Sequence, residues 1–130
     1  MNLDTFTAAY IECALWSSTA DQELQAHENG GRSYSDLGYG VEKLAPQTLA
    51  AMIDDCKRFR EVAGSLLDDW DDEQAGHDLW LTRNGHGAGF WDRGKDTGDA
   101  LTALCGWRAA DFREVGLYMG DDGLIYQSPG

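Results

Sequence analysis

Apolar residues recur every three or four positions at the start of the chain. Leu3, Phe6, Tyr10 and Cys13 form one stripe, and Ile11 and Leu15 widen it. That period predicts an amphipathic helix over residues 3–17, capped by Asn2 or Asp4. Residues 18–45 lose the period and gather glycine and polar side chains, among them Asn29, Gly30, Gly31, Ser33, Ser35, Gly38 and Gly40. They read as a long connection with a short helical turn near Asp21–Ala26, and a connection of that length in a small domain is expected to be mobile or functional. Pro46 then opens the clearest helix, since proline suits the first helical position. Leu49, Ile53, Cys56, Ala63 and Leu66 make its expected buried stripe, with Met52 and Phe59 at the edge. On the polar side, Asp54 and Arg58, and Lys57 and Glu61, stand four residues apart, the spacing of helical ion pairs.

The pattern breaks at Asp68-Asp69-Trp70-Asp71-Asp72-Glu73. Carboxylates this dense cannot be buried, and near a helix C-terminus they oppose the helix dipole. The run is expected to end the helix and stay in water, with Trp70 folded back onto the core. Next, His77, Leu79 and Leu81 alternate with Asp78, Trp80 and Thr82, the period of a strand. Asn84-Gly85-His86-Gly87-Ala88-Gly89 supplies a glycine-rich loop and Phe90-Trp91-Asp92-Arg93 a return, so a β-hairpin is predicted over 76–94. Asp96 or Thr97 caps a third helix carrying Leu101, Leu104 and Cys105. Val115, Leu117 and Met119 alternate as a strand, Asp122-Gly123 signals a turn, Leu124-Ile125-Tyr126 returns, and Ser128-Pro129-Gly130 is a tail. The predicted order is α-α-ββ-α-ββ. That is an α+β fold in a single domain, residues 1–130, with helices packed on one face of an antiparallel sheet of about four strands. Trp16, Trp80, Trp91, Leu49, Ile53, Cys56, Leu66, Leu101, Leu117 and Ile125 are its expected core.

Composition narrows the class of protein. The chain has 130 residues, is 42% hydrophobic with five tryptophans, and carries a net charge of −13. That apolar content argues against disorder despite the charge. No apolar run is long enough to span a membrane, and Asn2, Leu3 and Asp4 after Met1 do not read as a secretory leader, so a cytoplasmic location is expected. A chain this acidic is repelled by phosphate backbones and anionic lipid, which excludes direct nucleic-acid and membrane partners. Cys13, Cys56 and Cys105 lie apart in helix-like stretches. An odd, dispersed set reads as small buried hydrophobes, not as a disulfide framework or a zinc site.

Candidate chemistry concentrates between Gly76 and Gly94. The predicted hairpin brings His77 and Asp78 near Asp92 and Arg93, and histidine with aspartate can form an oriented general base. His77, His86 and Asp92 are metal-ligating types. His86 at the loop tip and His77 at the strand base are, however, separated by four or five residues at about 3.3 Å each, too far for one ion. No metal and no cofactor are therefore expected. The loop lacks the Gly-Lys-Ser/Thr of a phosphate cradle, Asp121-Asp122-Gly123 lacks the later ligands of a calcium loop, and no Gly-x-Ser-x-Gly elbow occurs. No catalytic residue is assigned, and a small enzyme using the polar residues of the hairpin stands as the alternative. Two binding candidates remain. One is the acidic run Asp68, Asp69, Asp71, Asp72 and Glu73, which can imitate a line of phosphates and attract a basic groove. The other is the hairpin loop, with Arg83, Asn84, His86, Phe90, Asp92 and Arg93.

Three stretches resemble a family of short proteins carried by bacteriophages, plasmids and other mobile elements. They are Gly-His-Asp-Leu-Trp-Leu-Thr-Arg-Asn-Gly-His-Gly-Ala-Gly-Phe-Trp-Asp-Arg at 76–93, Ala-Tyr-Ile-Glu-Cys-Ala-Leu-Trp-Ser-Ser at 9–18, and Leu-Tyr-Met-Gly-Asp-Asp-Gly-Leu-Ile-Tyr at 117–126. The resemblance covers nearly the whole chain. Leu79 stands where the family carries an aromatic residue, a difference that touches packing. The family has no assigned activity, so the resemblance implies a context and no catalytic roles. It implies an accessory protein that binds a host protein in the bacterial cytoplasm. The specific target expected from that context is a nuclease of a restriction or CRISPR system, which would make the chain an antirestriction or anti-CRISPR protein. A structural phage accessory protein is the other expectation.

Overall fold

The computed structural model describes residues 3–18, 33–85, 87–106 and 112–129. Among these residues four helices, α1 (Thr5–Ser17), α2 (Pro46–Ala63), α3 (Asp72–Arg83) and α4 (Gly98–Cys105), precede an antiparallel pair, β1 (Val115–Met119) and β2 (Ile125–Pro129). Short 3-10 turns lie at Val41–Lys43, Gly64–Leu67 and Phe90–Asp92. The fold is α+β, but among the described residues the sheet has two strands, not about four. The order is α-α-α-α-β-β, because the hairpin expected over 76–94 does not form. The expected helical turn at Asp21–Ala26 and a cap from Asn2 lie outside the described residues; Asp4 caps α1, accepting the Thr7 N–H at 2.7 Å.

Residues 72–83 form a helix because of what begins it. The Asp71 carboxylate accepts the Gln74 N–H at 3.3 Å, and Asp72 and Glu73 occupy the first turn, where negative charge favours the helix dipole. The acidic run therefore starts a helix instead of ending one. Trp70 does turn inward, with its indole N–H donating to Thr97 Oγ1 at 2.8 Å. That hydroxyl donates in turn to the Leu66 carbonyl at 2.9 Å, so Thr97 precedes α4 without capping it through its side chain.

α1 and α3 run parallel and close together. A Cβ on Gly76 would collide with the Phe6 carbonyl oxygen and crowd the Ala9 side chain. Further along, the Tyr10 and Trp80 rings meet edge to face at 5.5 Å, and Trp80 Nε1–H donates to Ser17 Oγ at 2.8 Å. α2 runs antiparallel to α1: Phe59 lies against Phe6, and Arg60 pairs with Asp4 at 3.0 Å. Phe59 also stacks on Phe90 at 5.6 Å and meets Phe112 edge-on at 5.4 Å.

Holding Phe59 at that centre sets the rotation of α2. Its buried face is Thr48, Met52, Cys56, Phe59 and Ala63. Met52 and Phe59, expected at the edge, are buried beside Cys56 and Ala63, which were expected there, while Leu49 and Ile53, expected in the core, are half-buried. The buried face keeps Cys56 and Ala63 but is turned by roughly 40° from the expected stripe, at about 100° per residue. Trp16 and Trp91 were also expected inside, but are 63% and 47% exposed. Trp80, Cys56, Leu101 and Ile125 are buried as expected, while Leu66 and Leu117 are half-buried.

The final hairpin pairs Tyr118 with Tyr126, Leu117 with Gln127 and Gly116 with Ser128, so Ser128 and Pro129 belong to β2 and not to a tail. Gly123 takes a φ of 81° in its turn, a conformation that glycine adopts without a Cβ clash. The hairpin is tied to the helices where the Ala45 N–H donates to the Ile125 carbonyl at 2.9 Å.

Candidate functional site

The polar residues of 76–94 are mostly engaged in holding the helices together. Arg83, in the last turn of α3, is buried. Its Nη1 donates to the Tyr10 hydroxyl at 3.0 Å and to Asp55 Oδ2 at 2.9 Å. Its Nε and Nη2 donate to the Arg113 carbonyl at 2.9 and 2.7 Å. Burial opposes the charge, but Tyr10 and Asp55 outweigh it and the guanidinium pKa is raised. Burial likewise pushes the Tyr10 phenol upward, against the pull of Arg83.

Asp78 is fully buried. Its carboxylate accepts from Arg93 Nη2 at 2.7 Å, from Arg93 Nε at 3.1 Å and from Gln74 Nε2 at 3.1 Å. The hydrogen bond to Asp78 raises the Arg93 pKa against the cost of desolvation. Asn84 is also occupied. Its Oδ1 accepts the Val115 N–H at 2.8 Å and its Nδ2 donates to the Trp80 carbonyl at 3.1 Å, joining the end of α3 to β1. Phe90 is buried in the core and its N–H donates to Thr82 Oγ1 at 3.0 Å. Arg83 and Phe90, expected on an exposed loop, are thus interior residues, while Asp92 is exposed. His86 lies outside the described residues.

The structure therefore joins Asp78 to Arg93 and not to a histidine. A general base needs an accessible lone pair, and the Asp78 oxygens are enclosed by donors. His77 is half-buried, and its Nε2 has no hydrogen-bond partner among the described residues. Among those residues no three His, Cys, Asp or Glu side chains gather as metal ligands. The three cysteines are free and buried, and burial pushes each thiol up to about 12. At neutral pH they are protonated and poor nucleophiles.

The acidic run is different. Asp68, Asp69, Asp71, Asp72 and Glu73 are all exposed, and none joins an ion pair among the described residues. They do not form one line. Asp71 caps α3, the Asp69 carbonyl accepts Lys95 Nζ at 3.1 Å, and Asp68 and Asp72 turn into a groove of about 560 Å³ shared with Asp4, Lys57 and Glu61. Arg60 also lines this groove but is taken up by Asp4 and by the Phe6 ring, 5.2 Å from its guanidinium. The expected Asp54–Arg58 pair forms at 3.2 Å, and Arg58 also reaches Asp55 at 2.9 Å. The groove was not foreseen from sequence. Reading Asp71-x-x-Gln74 as a helix start would have put Asp72 in the first turn of α3, but its approach to Asp4 depends on the packing of α1 against α3.

Fold and surface together define a small acidic α+β protein whose acidic run faces solvent, while the Arg83–Asp55 and Arg93–Asp78 pairs lie wholly or partly inside. No family model matches the chain, and no curated protein or solved structure matches it. No helix among the described residues is long and apolar enough to cross a membrane.

Proposed function

We propose that the chain is an accessory protein of a bacteriophage or other mobile element and acts by binding a host protein in the bacterial cytoplasm. The target class is a nuclease complex of a restriction or CRISPR system, whose basic nucleic-acid groove the acidic surface enters. The observation that carries this reading is the run Asp68 to Glu73, with five exposed carboxylates outside any ion pair among the described residues. Carboxylates outside any ion pair are not neutralised by a neighbouring cation, and their summed field steers a basic partner toward the surface. The resemblance to mobile-element proteins supplies the cellular context.

The test is functional and then physical. Plasmid transformation is measured in bacterial strains carrying one restriction or CRISPR system each, with and without expression of the chain. A rise of tenfold or more in at least one strain is expected, together with a complex of chain and nuclease on co-purification. Binding should weaken steeply with salt, because exposed charges are screened over about 8 Å at physiological ionic strength. Asp69→Lys with Glu73→Lys should mainly slow association. Unchanged transformation in every strain, with no nuclease retained, sinks the proposal.

A further inference from the structure

Ile53 joins two concavities on one side of α2. Toward the start of the helix lies a mostly apolar groove of about 370 Å³, walled by Val41, Leu44, Pro46, Leu49 and Ala50 and by Glu42, whose Oε1 accepts the Gly40 N–H at 3.2 Å. Toward its end lies the acidic groove of about 560 Å³. From Leu49 to Glu61 the strip spans about 18 Å at 1.5 Å per residue. Its two ends differ in chemistry. At the apolar end Val41 is 40% exposed, and Leu49 and Ile53 are half-buried. These two α2 residues have the period of a core stripe but stand on average about 80° round the helix from the centre of the face that the fold buries. At the other end Glu61, Asp68 and Asp72 join no ion pair among the described residues, and Arg60 is held by Asp4. Lys57 is left to offset three carboxylates.

We propose that this strip docks one segment of the partner protein, apolar at one end and rich in Lys or Arg at the other. The inference rests on the binding function proposed above and names the contact surface. Apolar side chains of the partner cover Leu49 and Ile53, where removing water from both surfaces slows dissociation. Its cations meet Glu61, Asp68 and Asp72, which fix the direction of the segment and speed encounter. A segment laid in a groove in this way is read through side chains at fixed spacing.

The experiment uses the whole chain and three synthetic peptides of about 12 residues, a helical length that covers the strip. One has Leu and Ile in its first half and Lys and Arg in its second. A second has the same residues scrambled, and a third carries Glu in place of Lys and Arg. Backbone NMR shifts give the site and titration gives the affinity. The ordered peptide should bind at least tenfold tighter than either control, with shifts centred on Leu49, Ile53, Glu61 and Asp68. Ile53→Asp and the change Glu61→Lys at an exposed position should each weaken it about tenfold. Equal affinity for ordered and scrambled peptides, or shifts centred on the β1–β2 hairpin, overturns the strip. The same variants are then tested on the co-purified nuclease. Loss of binding with Asp69→Lys and Glu73→Lys but not with Glu61→Lys keeps the binding function and overturns the strip. Loss with Glu61→Lys supports it.

Discussion

Residues 72–94 and residues 115–129 present the same pattern on paper: alternating apolar and polar side chains, a glycine-bearing turn and an aromatic return. One becomes a helix followed by a 3-10 turn, the other a hairpin. The difference lies in where the information sits. In the hairpin it is local: Asp122 Oδ1 accepts the Leu124 N–H at 3.0 Å, Gly123 supplies the positive φ, and the Tyr118 and Tyr126 rings stack at 5.7 Å. In 72–94 the partners are distant: Tyr10, Asp55 and Arg113 for Arg83, and Phe6 for Gly76. A two-residue period means a strand only where one face is buried and the other wet. α3 buries Asp78, Leu79 and Trp80 in succession.

Substitutions should separate the two regions, with the larger effects in 72–94. Arg83→Met strands the buried Tyr10 hydroxyl and removes the partner of the part-buried Asp55 Oδ2 and Arg113 carbonyl, and should cost about 3–5 kcal/mol, read by chemical denaturation. Gly76→Ala gains helix propensity but forces α1 and α3 apart. About 2–3 kcal/mol of destabilisation is expected from overpacking against backbone, and an unchanged midpoint would show that the helices do not touch there. In the hairpin, Gly123→Ala meets no atom within 4 Å and carries only the positive-φ penalty, about 1 kcal/mol.

α2 tests whether its rotation is right. The sequence period puts Ile53 in the core, where truncation to Ala costs about 2–5 kcal/mol. At a half-buried position the change should cost nearer 1 kcal/mol, whereas Met52→Ala should reach the core range. Reversal of that order would return the helix to the orientation its period suggests.

The smallest effect is electrostatic and confined to the hairpin tip. The Tyr126 hydroxyl donates to Asp122 at 2.5 Å, which holds the phenol above its ordinary 10.0 and the carboxyl below its ordinary 3.8. The phenol's contribution to stability is present below pH 10 and lost as the pH rises through its raised value. The carboxylate's is present above its ordinary value and lost as the pH falls through its lowered one. Asp122→Asn should move the Tyr126 titration back toward 10.0, seen by ultraviolet absorbance.

What the sequence made legible divides along the same line. α1, the Pro46 start of α2, the inward turn of Trp70, the buried cysteines and the Asp122-Gly123 hairpin follow from residues within a few positions of one another. α3 was missed because its burial includes Asp78 and Arg83, charged side chains that no apolar period counts as core. Their partners Arg93 and Asp55 lie 15 and 28 positions away. Trp16 and Trp91 show the converse: size and apolarity suggest burial, but the packed faces of α1 and of the 3-10 turn were already filled by Tyr10, Cys13 and Phe90. The acidic run was placed correctly in water, but its role as a helix start depended on reading Asp71 and Gln74 together.

The parallel contact between α1 and α3 has a consequence for how the chain is made. The Arg83 to Tyr10 hydrogen bond closes across 73 residues. At about 5–20 residues per second of synthesis, α1 leaves the ribosome several seconds before α3 exists. During that interval Phe6, Tyr10 and Ile11 have no α3 against which to pack. Closure at such sequence separation is slow, because a long loop loses its freedom before any contact rewards it. Nascent α1 is thus a stretch of exposed aromatic surface that a chaperone would recognise, and the yield of folded protein in the cell should depend on translation rate more than equilibrium stability suggests.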